Sequence, residues 1–144
     1  MLKKFSVCSP WLFRINAGSC NGCDVELATT ALIPRYDVER FGCRYCGSPR
    51  HADIVLITGP VTTRIRDRVL RVWNEIPEPK VTVAVGICPI SGGVFREGYA
   101  IEGPLDKWIP VDVNVPGCPP RPQAILEGVV LAKSIWMKKL GLEG

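Results

Sequence analysis

The stretch Ala52-Asp53-Ile54-Val55-Leu56-Ile57-Thr58 decides the fold, because it is apolar along almost its whole length. A strand with one face in water alternates apolar and polar residues, whereas a parallel strand covered by helices on both faces is nearly continuously apolar. Gly59-Pro60 then stops the run. We therefore predict a buried strand of a parallel sheet at this position.

Similar strands are predicted on either side of this stretch. Val81 to Val85 is a second buried strand, and Ile109 to Val115 is another. Ser9 to Asn16 is short, aromatic and β-branched, which fits a first strand, and Tyr36 to Phe41 alternates weakly and could be an edge strand.

Apolar residues at helical spacing follow these strands. Asp24 to Leu32 is predicted as a helix on the spacing of Val25, Ala28, Ala31 and Leu32. The next helix has Ile65, Val69, Val72 and Trp73 on one side, with Thr62 or Thr63 as its cap, and the last runs from about Pro122 to Leu140. Strands that alternate with helices predict one α/β domain, residues 1–144, with a doubly wound parallel sheet of about four or five strands and helices on both faces.

Composition excludes several classes of function. The chain has a net charge of +4, but its basic residues are scattered and no aromatic-studded basic strip indicates nucleic-acid binding. No apolar run approaches the ~20 residues needed to span a bilayer. The N-terminus does not resemble a secretory leader, so we expect the cytoplasm, where thiols stay reduced and seven cysteines indicate metal or redox chemistry.

Four of these cysteines lie where predicted strands end. Gly18-Ser-Cys20-Asn-Gly22-Cys23-Asp24 follows the first strand, while Cys88 in Gly-Ile-Cys-Pro and Cys118 in Gly-Cys-Pro-Pro each follow a later strand. Ligands of a doubly wound sheet bind at the carboxyl ends of its strands. The topology therefore predicts that Cys20, Cys23, Cys88 and Cys118 together bind one [4Fe–4S] cluster.

The remaining cysteines leave alternatives open. Cys43-x-x-Cys46 and Cys20-x-x-Cys23 together have the general spacing of a four-thiolate zinc site, in which case Cys88 and Cys118 would be small buried residues. Otherwise Cys43 and Cys46 are loose thiols, a reversible disulfide or ligands of a second metal. Cys8 is expected to be a buried or idle thiol.

Several ordered blocks of the sequence carry a resemblance to a known family. They are Gly18-Ser-Cys-Asn-Gly-Cys-Asp-Val-Glu26, Tyr36-Asp-Val-Glu-Arg-Phe-Gly42, Gly47-Ser-Pro-Arg-His-Ala-Asp53, Thr58-Gly-Pro60, Gly92-Gly93 and Ile109-Pro-Val-Asp-Val-Asn-Val-Pro-Gly-Cys-Pro-Pro120. With them the chain resembles the small, cluster-bearing subunit of membrane-bound, energy-converting [NiFe] hydrogenases and the related cluster subunit of respiratory complex I. The complex I relatives typically carry adjacent cysteines at the first site, so the Cys20-x-x-Cys23 spacing is the hydrogenase-like form. Cys43 and Cys46 lie outside the usual cluster pattern of the family.

The resemblance implies a flavodoxin-like domain whose proximal [4Fe–4S] cluster is held by Cys20, Cys23, Cys88 and Cys118. It further implies an oxidoreductase subunit without catalytic residues, which passes electrons from ferredoxin-fed clusters to a NiFe centre in a large partner subunit. A ferredoxin-like cluster subunit and ion-translocating membrane subunits would be further partners, with this chain peripheral on the cytoplasmic side of the membrane. Arg50 and the backbone at Gly22 and Gly117 are the candidates for tuning the cluster.

Two other functions compete with this one. The equivalent subunit of a quinone or sulfane/polysulfide reductase would keep the electron-transfer role and change the chemistry of the partner. A zinc-stabilised or thiol-redox binding module would use Cys20, Cys23, Cys43 and Cys46 instead.

Overall fold

The computed structural model describes residues 9–142. Its centre is a five-stranded sheet in which every pairing is parallel and the strand order is β2-β1-β3-β4-β5. The strands are β1 Trp11–Asn16, β2 Arg44–Tyr45, β3 Ile54–Thr58, β4 Val81–Val85 and β5 Val113–Val115. This is the flavodoxin-like order of doubly wound proteins, in which the connection reverses direction between β1 and β3. The predicted fold class is confirmed.

Helices cover both faces of the sheet. They are α1 Gly22–Leu32, α2 Arg66–Glu75, α3 Ile87–Ser91 and α4 Pro122–Lys139. Ile54 and Leu56 of β3 belong to the core beneath α1 and α4, whereas Val55 and Ile57 belong to the core beneath α2. All five residues of β3 are buried: Ile54 to Ile57 alternate between the two cores, and the Thr58 hydroxyl donates to Asp24, which explains the continuous apolar run up to Thr58.

The first helix is confirmed, but the residues whose spacing predicted it point outward. Val25, Ala28, Ala31 and Leu32 are all exposed, and the buried side instead consists of Cys23, Asp24, Leu27 and Thr30. Two of those buried residues are polar and have partners. The Thr30 hydroxyl donates to the Leu27 carbonyl at 2.7 Å and lies 3.0 Å from the Tyr45 hydroxyl.

The predicted edge strand was wrong in position. Residues 36–41 fall in two 3₁₀ turns, Pro34–Tyr36 and Val38–Phe41, and the second begins where the Asp37 carboxylate accepts from the Glu39 amide. The edge strand is β2, which lies after these turns and between Cys43 and Cys46. Its two residues are too few to produce a pattern in the sequence.

The predicted helix cap was also wrong. Helix α2 begins after Ile65, and Thr62 contributes its main-chain carbonyl, which accepts from the Arg66 amide at 3.0 Å. The predicted apolar side of α2 is confirmed, since it faces the core beneath this helix. The residues concerned are Ile65, Val69, Val72 and Trp73. Cys8 lies outside the described residues, and within them no helix is both long enough and apolar enough to cross a membrane.

Candidate metal centre

The carboxyl ends of three strands carry the four candidate cysteines. Cys20 lies between β1 and α1, and Cys23 lies in the first turn of α1. Cys88 lies in α3, directly after β4, and Cys118 follows β5 by three residues. Because the strands are parallel, these ends meet at one edge of the sheet.

Two backbone hydrogen bonds join the turns after β4 and β5. The Gly86 amide donates to the Val115 carbonyl at 2.8 Å, and the Ile87 amide donates to the Gly117 carbonyl at 2.9 Å. These bonds continue the pairing of β4 with β5 beyond the strands. They set the segment that carries Cys88 against the segment that carries Cys118.

The thiols lie close enough to affect one another's ionisation. Burial is the main cause that raises the pKa of Cys23 from 9.0 to about 11, and the neighbouring Cys88, Cys20 and Cys118 thiols contribute in that order. Burial also raises the pKa of Cys88, again with contributions from Cys118 and Cys20. Each thiolate disfavours the next because like charges repel in a poorly solvated site.

Glycines border three of the four sulfurs. A Cβ atom built at Gly86 would lie 2.6 Å from the Cys23 Sγ, one at Gly93 would lie 3.4 Å from the Cys88 Sγ, and one at Gly22 would lie 3.6 Å from the Cys20 Sγ. The space beside these sulfurs is therefore kept clear of side chains. Four thiols around such an open space are the donor set that a [4Fe–4S] cluster takes, so the residues fit that group.

The four-cysteine site differs from a site for a single metal ion. Among residues 9–142, no three or more His, Cys, Asp or Glu side chains are arranged so that they could hold one metal ion. In a [4Fe–4S] cluster each cysteine bonds a different iron, so the thiolates surround a core of several atoms.

The two glycines predicted beside the cluster lie at this edge of the sheet. Gly22 is next to Cys20 and about as close to Pro119, since its Cβ would lie 4.0 Å from that ring. Gly117 has φ +148°, and its carbonyl accepts from Ile87.

Arg50 is not brought together with the cysteines. It is exposed in the 3₁₀ turn Pro49–His51, which precedes β3. It therefore lies where the strands begin, at the opposite edge of the sheet from the four thiols.

Cys43 and Cys46 also lie at the opposite edge. They flank β2, whose residues Arg44 and Tyr45 pair with the first two residues of β1. The Cys46 amide donates to the Leu12 carbonyl, so about 10 Å of β1, at 3.3 Å per residue, lies between Cys46 and the end of the strand, and Cys20 lies beyond that end. A zinc ion bonds its sulfurs at about 2.3 Å, so the two cysteine pairs do not share one ion and the zinc alternative was wrong.

Cys43 and Cys46 are separated from each other by the sheet. Cys43 is buried in the core beneath α1 and α4, whereas Cys46 packs against the core beneath α2. Residues three apart along a strand point to opposite faces, which accounts for this arrangement. Neither a disulfide between them nor a second metal shared by them fits this geometry.

A group of polar residues behind the cysteine loop is not predicted by the sequence patterns. The Asp24 carboxylate accepts from the Thr58 hydroxyl and from the Asn16 side-chain amide. In the sequence, Asn16 only ends a predicted strand and Asp24 only begins a predicted helix. One feature of the sequence could have revealed this group: two neighbouring strands end in polar residues, and a cysteine loop lies between them.

Comparisons with known proteins agree on one family. The family model described as NADH ubiquinone oxidoreductase, 20 Kd subunit, matches residues 20–132. The chain is 60% identical over 131 residues to the probable membrane-bound hydrogenase subunit mbhJ of Pyrococcus furiosus, covering 91% of this chain and 78% of that protein. It is 44% identical over 144 residues to formate hydrogenlyase subunit 7 of Escherichia coli, covering 100% of this chain and 56% of that protein.

A solved structure shares both sequence and fold with the chain. It is that of the membrane-bound sulfane sulfur reductase (MBS), an archaeal respiratory membrane complex. One of its chains superimposes with a TM-score of 0.81 at 36% identity, covering 95% of this chain and 75% of that one.

Proposed function

Because the chain belongs to the family of the NADH ubiquinone oxidoreductase 20 kDa subunit, we propose that it binds one [4Fe–4S] cluster and transfers electrons within an oxidoreductase complex. The observation that carries this proposal is the convergence of four cysteines from three turns at one edge of the sheet. Cys20, Cys23, Cys88 and Cys118 would hold the cluster. When bound, the cluster supplies one-electron transfer.

The residues of this chain would shield one side of the cluster site from water and leave the other side accessible to a partner subunit. Cys23 and Cys88 are buried, so they hold the inner side of the site away from water. Cys20 and Cys118 are exposed, so the outer side is where a partner subunit can approach. The backbone at Gly22 and Gly117 borders the site and is our candidate for tuning the potential, whereas Arg50 lies too far away to do so directly.

The partner proposed for the outer side is the large subunit of a membrane-bound [NiFe] hydrogenase. Its NiFe centre would reduce protons to H₂ with electrons that arrive through a ferredoxin-like cluster subunit, coupled to ion translocation by membrane subunits. The relative named as a probable membrane-bound hydrogenase subunit, at 60% identity, supports this assignment, as does the Cys20-x-x-Cys23 spacing. The chain would then lie on the cytoplasmic side of the membrane, attached through its partners.

A second candidate is the equivalent subunit of a sulfane sulfur or quinone reductase. The sulfane sulfur reductase structure favours it, since its chain superimposes over 95% of this one. Both candidates assign the same role to the four cysteines. They differ in the large subunit, which retains four nickel-binding cysteines only in the hydrogenase.

The test is to replace Cys88 and, separately, Cys118 with serine in the complex purified without oxygen. We expect about four irons with matching acid-labile sulfide for this site in the unaltered chain. Either substitution should remove or convert the cluster and abolish H₂ evolution by the complex. A normal cluster signal in either variant would contradict the proposed ligand set, and sulfane reduction without H₂ evolution by the unaltered complex would favour the second candidate.

A further inference from the structure

Asp24 is a buried carboxylate with three partners, directly beside Cys23. The residue is only 6% exposed. One carboxylate oxygen accepts from the Thr58 hydroxyl at 2.9 Å and lies 3.2 Å from the Arg14 guanidinium, and the other accepts from the Asn16 Nδ2 at 2.8 Å. These contacts join the ends of β1 and β3 to the first turn of α1.

Asn16 extends this network to the cysteine loop. Its Oδ1 accepts from the Gly18 amide at 2.9 Å and from the Ser19 amide at 2.8 Å. Two backbone donors fix the orientation of the side-chain amide, so the Nδ2 group must face an acceptor. Asp24 at 2.8 Å is the nearer acceptor, ahead of the Asn21 Oδ1 at 3.5 Å, so its oxygen keeps Asn16 in the orientation that binds the loop amides.

The other side of the loop is closed by β3. Gly59 follows β3 with φ +83°, and a Cβ there would lie 2.3 Å from the Ser19 amide nitrogen. The backbone at Ser19 is therefore held between the Asn16 side chain and Gly59, one residue before Cys20. Thr58, the neighbour of Gly59, donates to Asp24.

We propose that Asp24 is a positioning residue for cluster binding, which sets Cys20 through Asn16 and fixes the Cys23 turn through Thr58 and Arg14. The inference rests on the proposed function, because it takes Cys20 and Cys23 as cluster ligands. A carboxylate suits the role since it offers acceptors to three donors from two strands at once. Arg14 balances its charge, so the buried group is both paired and hydrogen-bonded.

The test compares Asp24→Ala and Asp24→Asn with Asp112→Ala as a matched control. Like Asp24, Asp112 is hydrogen-bonded and paired with a cation: it accepts from the Thr82 backbone amide at 2.9 Å and pairs with Lys139 at 2.8 Å. It precedes β5 and so lies at the edge away from the thiols. Each chain is produced in its complex without oxygen, and iron and acid-labile sulfide at this site are measured together with the rate of iron loss to a chelator.

We expect Asp24→Ala to retain less than half of the iron and to lose the remainder about tenfold faster. Asp24→Asn should recover most of the iron, because an amide at this position can offer its oxygen to Asn16 and its NH₂ group to the Thr58 hydroxyl. Asp112→Ala should keep the full iron content even if its unfolding midpoint falls as far as that of Asp24→Ala. Equal iron content and equal iron loss in Asp24→Ala and the unaltered chain would overturn the inference.

Asn16→Ala provides a second test in case Asp24→Ala does not fold. It removes the acceptor of the Gly18 and Ser19 amides but leaves Asp24 in contact with Arg14 and Thr58. We expect Asn16→Ala to retain less iron than the unaltered chain and to lose it to the chelator faster, because the amides of Gly18 and Ser19 no longer have their acceptor. Iron content and iron loss equal to those of the unaltered chain would overturn the inference, whereas a lack of cluster iron in the unaltered chain would instead contradict the proposed function.

Discussion

At the scale of single residues, the candidate site depends on where side chains are missing. The Cys23 sulfur lies against the backbone of Gly86, and this contact brings the turn after β1 to the turn after β4. Gly86 has φ +95°, a conformation that glycine adopts without strain. Glycine is therefore required here both for the backbone conformation and for the space beside the sulfur.

The first prediction concerns Gly86→Ala. The added Cβ would lie 2.6 Å from the Cys23 Sγ, so the sulfur or the turn must move. We expect the iron and acid-labile sulfide content at this site to fall below half of that of the unaltered chain. The measurement is metal and sulfide analysis of protein purified without oxygen.

Gly141→Ala controls for backbone strain in that experiment. Gly141 also has a positive φ, +72°, but a Cβ atom there would meet no described atom within 4 Å. The variant should therefore keep its full iron content. Equal losses in both variants would show that strain, rather than contact with the sulfur, is responsible.

The sequence was sufficient to predict that the four cysteines lie at one edge of the sheet, but not which residues lie behind them. Cys88 and Cys118 follow apolar strands, and the carboxyl ends of parallel strands meet, so their convergence needs no tertiary detail. The role of Asp24 depends on Thr58, which is 34 residues away and becomes a neighbour only through the pairing of β1 with β3. In the sequence, an acid in the first turn of a helix is equally well explained by the helix dipole.

At the scale of secondary-structure elements, α4 shows how closely a helix can approach the sheet. A Cβ built at Gly128 would lie 2.3 Å from the Val115 Cγ2, so the helix backbone rests on the side chain of β5. Val115 is the last residue of that strand and precedes Cys118 by three positions. The packing of α4 therefore holds the end of β5, from which the chain continues to Cys118.

The second prediction is that Gly128→Ala destabilises the protein. In an exposed helix interior this change would stabilise by about 1 kcal/mol. Here overpacking against Val115 should cost about 1–3 kcal/mol, which reverses the sign. The measurement is the thermal unfolding midpoint, which we expect to fall.

Val115→Ala provides the matched control, because it removes the methyl groups that the new Cβ would meet. The double variant should be more stable than the sum of the two single changes predicts, since the clash is relieved. A rise in the unfolding midpoint for Gly128→Ala alone would contradict this account of the α4–β5 contact.

Helix α1 shows why the pattern of an element does not always predict its buried side. Leu27 is the only large aliphatic side chain that α1 buries, while Val25 and Leu32 are 63% and 79% exposed. The orientation of α1 is set at its start, where Cys23 and Asp24 face inward toward Gly86 and Thr58. Contacts made by two site residues outweigh apolar spacing in this helix.

At the scale of the whole molecule, the parallel sheet gives the domain two edges with different contents. One edge carries the four thiols, and the other carries Cys43, Cys46 and Arg50. The continuous apolar runs of β3 and β4 made the architecture predictable. The position of β2 was not predictable, because its two residues join the sheet only through pairing with the start of β1.

The third prediction is that replacing Cys43 and Cys46 together with alanine leaves the cluster intact. Burial raises the pKa of both thiols, so they stay protonated, and the two side chains face opposite sides of the sheet. We expect unchanged iron and acid-labile sulfide at this site, with the potential unaltered because both residues lie beside the first half of β1, away from the thiol edge. Cys43 is only 1% exposed, so its removal should lower the unfolding midpoint through lost packing. Loss of iron in the double variant, with Cys88 and Cys118 unchanged, would contradict this prediction. It would mean that cluster binding at the thiol edge depends on residues at the opposite edge of the sheet.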